Sequence, residues 1–407
     1  MHPIVSALKH HKTTVMLVAL EIALTCAIVT NALFLIGDRL TAMRMHTGVA
    51  DNELVWARTS GLDLGQVADT RSPASEAAAD LAALRAMPGV ESVAMASSLP
   101  LSGNFWSINV FRRSGDEKSG HHVVEYLGSP GMLRTLGIKL SAGRDFEPQE
   151  FVDYNPFKHR PPPTVTIVTH TLAEQLWPGE SPLGKTFWLD SDGKQPVQVV
   201  GVVGHLLNPS ISKGQGADRS LILPVTRVQG GVYVLRVQPN VRGAVKRDLP
   251  GVLTRIDPAR IVTDDHIYAD TVSDYYHGDR AMIWVLVVVT GCLLALTALG
   301  VVGLSSFWVQ QRTRQIGIRR ALGATRGDIL RYFQTENFLI VSFGIALGML
   351  LAFALNLLLM THYELRRLPL YYLPIGAAAL WLLGQLAVLG PALRAAAVSP
   401  VVATRIV

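Results

Sequence analysis

Gly179-Glu-Ser-Pro-Leu-Gly-Lys185-Thr186 matches, letter for letter, the G-x-x-x-x-G-K-[ST] pattern that wraps the phosphates of a nucleotide. That chemistry needs a strand before the loop, a helix after it and backbone N–H groups free to point at phosphate. Here the order is reversed. Thr171–Trp177 carries the helical pattern, Phe187-Trp-Leu189 reads as a strand, and Pro182 removes one donor. The match is therefore read as a turn that holds no nucleotide. The histidines His121, His122, His159, His170, His205, His266 and His277 are scattered, with no cysteine or carboxylate at ligand spacing. They read as surface or core residues, and no metal is expected. Asp264 and Asp265 are expected at a strand end or turn, as a solvated cap. No G-x-S-x-G elbow or Ser/His/Asp order stands out, so no catalytic residue and no cofactor is assigned to the chain itself.

A different segment holds the concentrated charge. Val309–Phe333 carries Arg312, Arg314, Arg319, Arg320, Arg326 and Arg331 against the acid Asp328, and apolar runs flank it. Ile316, Arg319, Arg320 and Gly323 are spaced as on a helix, with Gly323 and Gly327 as punctuation. Taken alone, such a segment is explained by the tendency of cytoplasmic loops to collect Lys and Arg.

The chain has 407 residues, 49% of them hydrophobic, and a formal net charge of +6. The charge is unevenly divided: residues 38–280 sum to −2 and the remainder to +8. Positive charge thus lies beside apolar spans, and no basic stripe with interleaved aromatics invites nucleic acid. Both cysteines, Cys26 and Cys292, fall inside apolar runs. No disulfide can therefore staple the polar middle, whose length is ample for a core of its own.

The elements follow. Residues 1–13 form a cytoplasmic N-terminus, oriented by Lys9 and Lys12, and 14–37 a first span, read as uncleaved. Residues 38–280 form an extracytoplasmic α+β domain of two subdomains, one inserted into the other. Its helices are expected from Ser72-Pro73 through Ala86 and at Met132–Leu136, Thr171–Trp177 and Val241–Ile256. Strands are expected at Ser92–Ala96, Val123–Leu127, Thr164–Val168, Val197–Val203, Leu221–Leu223 and Val232–Val237, and Pro161-Pro162-Pro163 is a stiff connector. A second span covers 281–309, a cytoplasmic segment 310–332, a third span 333–360, an external loop 361–370 with Glu364, Arg366 and Arg367, and a fourth span 371–393. Residues 394–407, with Arg394 and Arg405, return to the cytoplasm. Glu21 inside the first span has two readings: a functional polar contact, or a carboxyl near the cytoplasmic end reaching Lys9, Lys12 or headgroups.

Four pieces of this sequence resemble the FtsX-like, MacB-type permeases of ABC transporters. The signature is Gln311-Arg-Thr-Arg-Gln-Ile-Gly-Ile-Arg-Arg-Ala-Leu-Gly-Ala-Thr-Arg326 with the apolar span after it. The others are Ser129–Phe146, the region from Thr166 through Lys185 to Gly204, and the tail Pro391–Pro400. The family also carries the Pro-Gly-Glu-x-Pro-x-Gly-Lys turn, which explains the false phosphate loop. Gln315 stands where relatives often have Glu. The resemblance implies a four-span permease with a MacB-like periplasmic core domain, in the inner membrane; as a departure from MacB itself, no fused ATPase domain is expected at either end. It further implies a separate MacB- or LolD-like ATPase that uses ATP and Mg, and a homodimer or heterodimer. A periplasmic adaptor and an outer-membrane channel are further expected partners. Within it, Arg314, Ile316, Gly317, Ile318, Arg319, Arg320, Leu322 and Gly323 would form the docking element for the ATPase. Arg319 and Arg320 would offer charge, Ile316, Ile318 and Leu322 an apolar anchor, and Gly317 and Gly323 close backbone approach. Glu336 would contact this segment or cap the third span. Two tasks fit: export or extraction of an amphiphile, peptide or drug, or a non-transporting stroke that activates a cell-wall hydrolase or sensor. A membrane-anchored binding protein without an ATPase is the remaining alternative.

Overall fold

The computed structural model describes residues 12–61, 73–115, 120–154, 162–211, 216–258, 260–363 and 367–397. Lys9, Ser72, His159, Pro161, Glu364, Arg366, Pro400 and Arg405, singled out above, lie outside them. The chain divides into two units, Met1–Arg44 with Asp279–Val407, and Met45–Gly278.

In the first unit, four described helices are long and apolar enough to cross a membrane. They are α1 (Lys12–Met43), α7 (His277–Gln311), α9 (Arg326–Tyr363) and α10 (Tyr372–Ala396), with a short α8 (Thr313–Ala321) between α7 and α9. α1 and α7 outrun their apolar stretches, and the polar ends that face each other find partners. Arg39 near the end of α1 pairs with Asp279 at the start of α7 at 2.7 Å. In lipid, close packing rather than hydrophobic contrast holds helices together, and small residues permit it. A side chain begun at Gly344 of α9 would come within 2.9 Å of the Ala19 carbonyl oxygen of α1. One turn on, a Cβ at Gly348 would sit 2.5 Å from that of Cys26 and 2.8 Å from the Ala23 oxygen. Asn31 adds a hydrogen bond to the Ala352 carbonyl at 3.1 Å. Gly348→Leu is accordingly expected to force α1 and α9 apart. The cost should be about 1–3 kcal/mol, read as a lowered thermal midpoint of the purified chain in detergent.

In the second unit, the described strands are β1 (Leu54–Gly61), β2 (Val90–Ala96), β3 (Trp106–Val110), β4 (His121–Gly128), β5 (Leu140–Gly143), β6 (Val165–Thr169), β7 (Thr186–Trp188), β8 (Pro196–Val203), β9 (Ser220–Pro224), β10 (Val232–Val237) and β11 (Arg260–Ile267). They form one hydrogen-bonded path in the order β11-β1-β10-β2-β4-β9-β6-β8-β5, with β3 added to β4 and β7 to β8. The path falls into two halves. β11, β1, β10 and β2 are antiparallel neighbours, and everything from β3 to β9 is inserted between β2 and β10. The halves meet at a single register pair, Ala96 opposite Gly128. Two serines strengthen that seam: Ser129 Oγ accepts the Met95 N–H at 2.8 Å, and Ser97 Oγ accepts the Leu127 N–H at 2.9 Å. One subdomain is thus inserted into the other.

Side chains alternate across the sheet, so each face has its own core. Val55, Val93, Val123 and Leu221 lie on one face, packed with α2 (Pro73–Arg85), α4 (His170–Leu176) and α5 (Arg242–Ile256). Leu54, Ala94, Tyr126 and Ile222 lie on the other, with α3 (Met132–Leu136) and α6 (Tyr268–Tyr275). Four strands were not anticipated: β1, β3, β5 and β11. Asp264 and Asp265 are corrected by β11. They stand in mid-strand, in register with Arg58 and Ala57 of β1. β11 is an edge strand, where outward acids are tolerated, and Asp264 lies 3.8 Å from Arg58.

One acid sits on a core face. Glu125 of β4 is 2% exposed and alternates with Val123 and Leu127, opposite Leu221 of β9. Its Oε1 has no hydrogen-bond partner among the described residues. Burial in these surroundings pushes its carboxyl up to about 7. The unfolded chain releases that proton near 4.5 and the folded chain near 7. Stability from this proton is therefore full below pH 4.5 and lost as pH rises to 7, by about 3 kcal/mol. Glu125→Gln should flatten that part of the pH dependence, measured by denaturant unfolding between pH 4 and 8.

Candidate functional site

The corner between α7 and α9 gathers the basic segment. Backbone bonding hardly breaks as α7 gives way to α8: the Arg312 N–H bonds the Trp308 carbonyl at 3.1 Å, and the Ile316 N–H bonds that of Arg312 at 2.9 Å. The axis changes at Arg312, whose φ and ψ are −105° and 10°. The far end of α8 stops at Gly323, with φ 101°. The Ala324 N–H returns to the Arg319 carbonyl at 3.1 Å and the Gly323 N–H to that of Arg320 at 3.2 Å. This is a Schellman stop, and only glycine adopts its φ without strain. Two residues later Thr325 and Asp328 open α9: the Asp328 carboxylate accepts the Thr325 N–H at 2.9 Å, and Thr325 Oγ1 accepts the Asp328 N–H at 3.2 Å. The segment expected as a single stretch at 310–332 is thus a separate nine-residue helix, a turn, and the first two turns of α9.

Packing, an ion pair and further arginine contacts hold α8 and the residue before it to the bundle. Ile316 is buried with Ile329 and Phe333 of α9 and with Ala392, Ala395 and Ala396 of α10. Arg312 places Nη1 3.0 Å from each carboxylate oxygen of Glu336, and its guanidinium lies over the Trp308 ring at 5.6 Å. Arg320 donates to the Ala396 carbonyl at 3.1 Å, and Arg319 lies over the Tyr332 ring at 4.8 Å.

The expected docking residues therefore divide. Arg314, Ile318, Leu322 and Gly323 are exposed, Leu322 at 83%. Ile316 and Gly317 are buried. Ile316 is thus corrected: it anchors α8 to its own chain and leaves Ile318 and Leu322 as the apolar surface. Gly323 serves the helix stop, and a Cβ there would meet nothing of its own chain within 4 Å. Arg319 and Arg320 are engaged within the chain as well as offering charge outward. Glu336 does contact this segment, through Arg312; that Arg312 is its partner, and that Trp308 and Tyr332 face arginines, depends on a chain reversal that spacing does not reveal.

Glu21 lies elsewhere in the bundle. It is half-buried on α1 against Gly300 of α7, where a Cβ would come within 2.8 Å of its carboxylate. One turn on, the Thr25 and Thr297 hydroxyls hydrogen-bond at 2.9 Å. The phosphate-loop match sits in the second unit between α4 and β7, helix first and strand after, with Lys185 paired to Glu180 and 5.6 Å from the Trp177 ring. Among the described residues no cluster of three or more His, Cys, Asp or Glu could hold a metal ion.

Four apolar helices, with a mixed α/β domain encoded between the first and the second, define a multi-pass membrane protein. The MacB-like periplasmic core domain model matches residues 16–252, and the FtsX-like permease C-terminal model matches 287–400. The chain belongs to the FtsX-like, MacB-type family of ABC transporter permeases. Neither matched model is of an ATPase domain. It is 27% identical over 233 residues to the uncharacterized ABC transporter permease YknZ of Bacillus subtilis, covering 54% of this chain and 53% of that one. Macrolide export ATP-binding/permease protein MacB 1 of Aeromonas hydrophila is 31% identical over 253 residues, 58% of this chain and 37% of that one. The chain thus spans about half of the first relative and little more than a third of the second. Among solved structures, the periplasmic region of MacB from Actinobacillus actinomycetemcomitans aligns at 15% identity and a TM-score of 0.36, over 57% of this chain and 96% of that one.

Proposed function

We propose that this chain is the membrane subunit of an ABC transporter, and that a separate cytoplasmic ATPase seats on α8. The observation that carries the reading is the shape of the α7–α9 corner. A short helix stands between two long spans, bound to them by Ile316 and the Arg312–Glu336 pair, with Ile318 and Leu322 uncovered. A load applied to α8 would reach α7 and α9 without being absorbed by a loose loop, and α7 begins where the outer domain ends. The exposed apolar pair would fill a groove on the ATPase, ringed by Arg314 and Arg319, as interfaces with an apolar centre and charged rim do.

On this reading the arginine-rich corner and both termini face the cytoplasm, in keeping with their Lys and Arg. The chain lies in the inner membrane with its large domain in the periplasm, and acts as a homodimer or heterodimer. ATP-driven closure of the ATPase moves the outer domains, with an adaptor and an outer-membrane channel as further partners. The names of the relatives, which speak of macrolide and syringafactin export, favour export of an amphiphile, peptide or drug. The test is co-purification with a MacB-like ATPase produced together with the chain. Wild type should retain it, Ile318→Glu/Leu322→Glu should lose it by at least tenfold, and Arg319→Glu/Arg320→Glu should weaken it. Equal retention by all three sinks the coupling role.

A further inference from the structure

The chain leaves α1 at Met43 and enters the outer unit over its next few residues. These residues lie on the connection that follows β8. The Leu207 N–H donates to the Thr47 carbonyl at 2.9 Å, and Gly48, with φ 88°, packs so close that a Cβ would stand 2.3 Å from the His205 carbonyl oxygen. A further tie is made by the His205 ring. Its Nδ1 is 2.9 Å from Asp218 Oδ2 and its Nε2 is 2.6 Å from the carbonyl oxygen of His46.

A carbonyl oxygen only accepts, so Nε2 must carry a proton to bond it. Asp218 Oδ2 already accepts the Thr171 hydroxyl at 2.9 Å. Although burial opposes ionisation of Asp218, hydrogen bonds from His205 and Thr171 hold its carboxyl below the usual range. An ionised carboxylate also only accepts, so Nδ1 needs a proton too. Both bonds exist together only when the ring is an imidazolium.

We propose that His205 is a proton-operated clasp, closed when charged and open when neutral, that fixes the first residues after α1 to the connection following β8. The segment after α1 brings the His46 imidazole and Asp51, the latter bonded to the Thr47 hydroxyl. Arg219, next to Asp218, bears on His121 instead. The bond to Asp218 raises the pKa of His205 above 6.5, against partial burial. A raised histidine stabilises fully below 6.5, and the contribution disappears as pH climbs through the raised value. When the ring loses its proton it keeps the bond to Asp218. A lone pair then faces the His46 carbonyl, so the tie that opens is the one to the chain leaving α1.

Hydrogen–deuterium exchange of the full chain in detergent tests this. After correction for intrinsic rates, amides 46–50 of wild type should exchange about tenfold faster at pH 8.5 than at pH 5.5, while 220–224 in β9 should stay equally protected. His205→Ala should exchange fast at both pH values with β9 still protected. Equal protection of 46–50 at the two pH values in wild type, or a wild-type response in His205→Ala, overturns the clasp.

Discussion

Glu336→Ala is expected to cost the membrane unit about 3–5 kcal/mol, because it leaves a guanidinium stranded among apolar side chains. The Arg312 side chain is 14% exposed and that of Glu336 is 2% exposed, and the pair stands at 3.0 Å. Val301, Leu304, Phe333 and Ile340 line the cavity beside it, with Ser305 and Asn337 as uncharged polar neighbours, so no second carboxylate lines it to meet a released charge. Removing both charges with Arg312→Met/Glu336→Leu should recover most of the loss, since an apolar pair of similar volume replaces a desolvated ion pair at small cost. Thermal unfolding of the purified chain in detergent, as a double-mutant cycle, separates the two outcomes. Recovery by the double variant fits a pair that stabilises by mutual satisfaction. Single and double losses that simply add would mean the two side chains do not interact. The pair also sets where α8 leaves α7, so ATPase retention should fall in Glu336→Ala even below its unfolding temperature.

Asp80→Ala should have a comparable effect, about 3–5 kcal/mol, on the α/β unit. Asp80 of α2 is 1% exposed and lies 2.8 Å from Arg260 at the start of β11, an ion pair rather than an aligned hydrogen bond. The Tyr233 hydroxyl of β10 donates to the same carboxylate oxygen, and Arg260 lies over the Tyr233 ring. One acid thus links a helix to the edge strand and to its second neighbour in the sheet. The alanine variant leaves both an arginine and a phenol buried without it. Asp80→Asn keeps an acceptor for Tyr233 and should lose less. Denaturant unfolding followed by tryptophan fluorescence gives the order wild type, Asn, Ala. An Ala variant as stable as wild type would show that the pair is worth no more than its desolvation.

Much of this architecture is legible in the amino-acid sequence. Spans of apolar residues exceed what a soluble helix needs, and the short helices at Met132–Leu136 and Arg242–Ile256 follow from their periodicity and flanking glycines and prolines. β1 and β11 escaped because Leu54–Gly61 mixes arginine and serine into a short run, and Arg260–Ile267 places two acids at its centre. Such strands are held by their neighbours rather than by propensity. The arginine-rich helix was visible, but the facing of its residues was not. In nine residues with Ile316 and Ile318 two apart, only the packing of α9 and α10 decides which isoleucine turns inward. Arg312 and Glu336 are 24 residues apart, and only the reversal through Gly323 and Thr325 makes them a pair. Glu125 was hidden differently, since one acid in His121–Gly128 looks like the solvent side of a half-buried strand, whereas this strand has a core on each face.

The docking role of α8 can be tested by contact. A photo-crosslinking amino acid at Leu322, in cells that also make a MacB-like ATPase, should give an adduct of the combined mass. The same residue at Phe343, exposed in the middle of α9, should give none. An adduct at Leu322 that disappears with Ile318→Glu is the expected result. No adduct at Leu322, or an equal one at Phe343, would contradict the seat on α8.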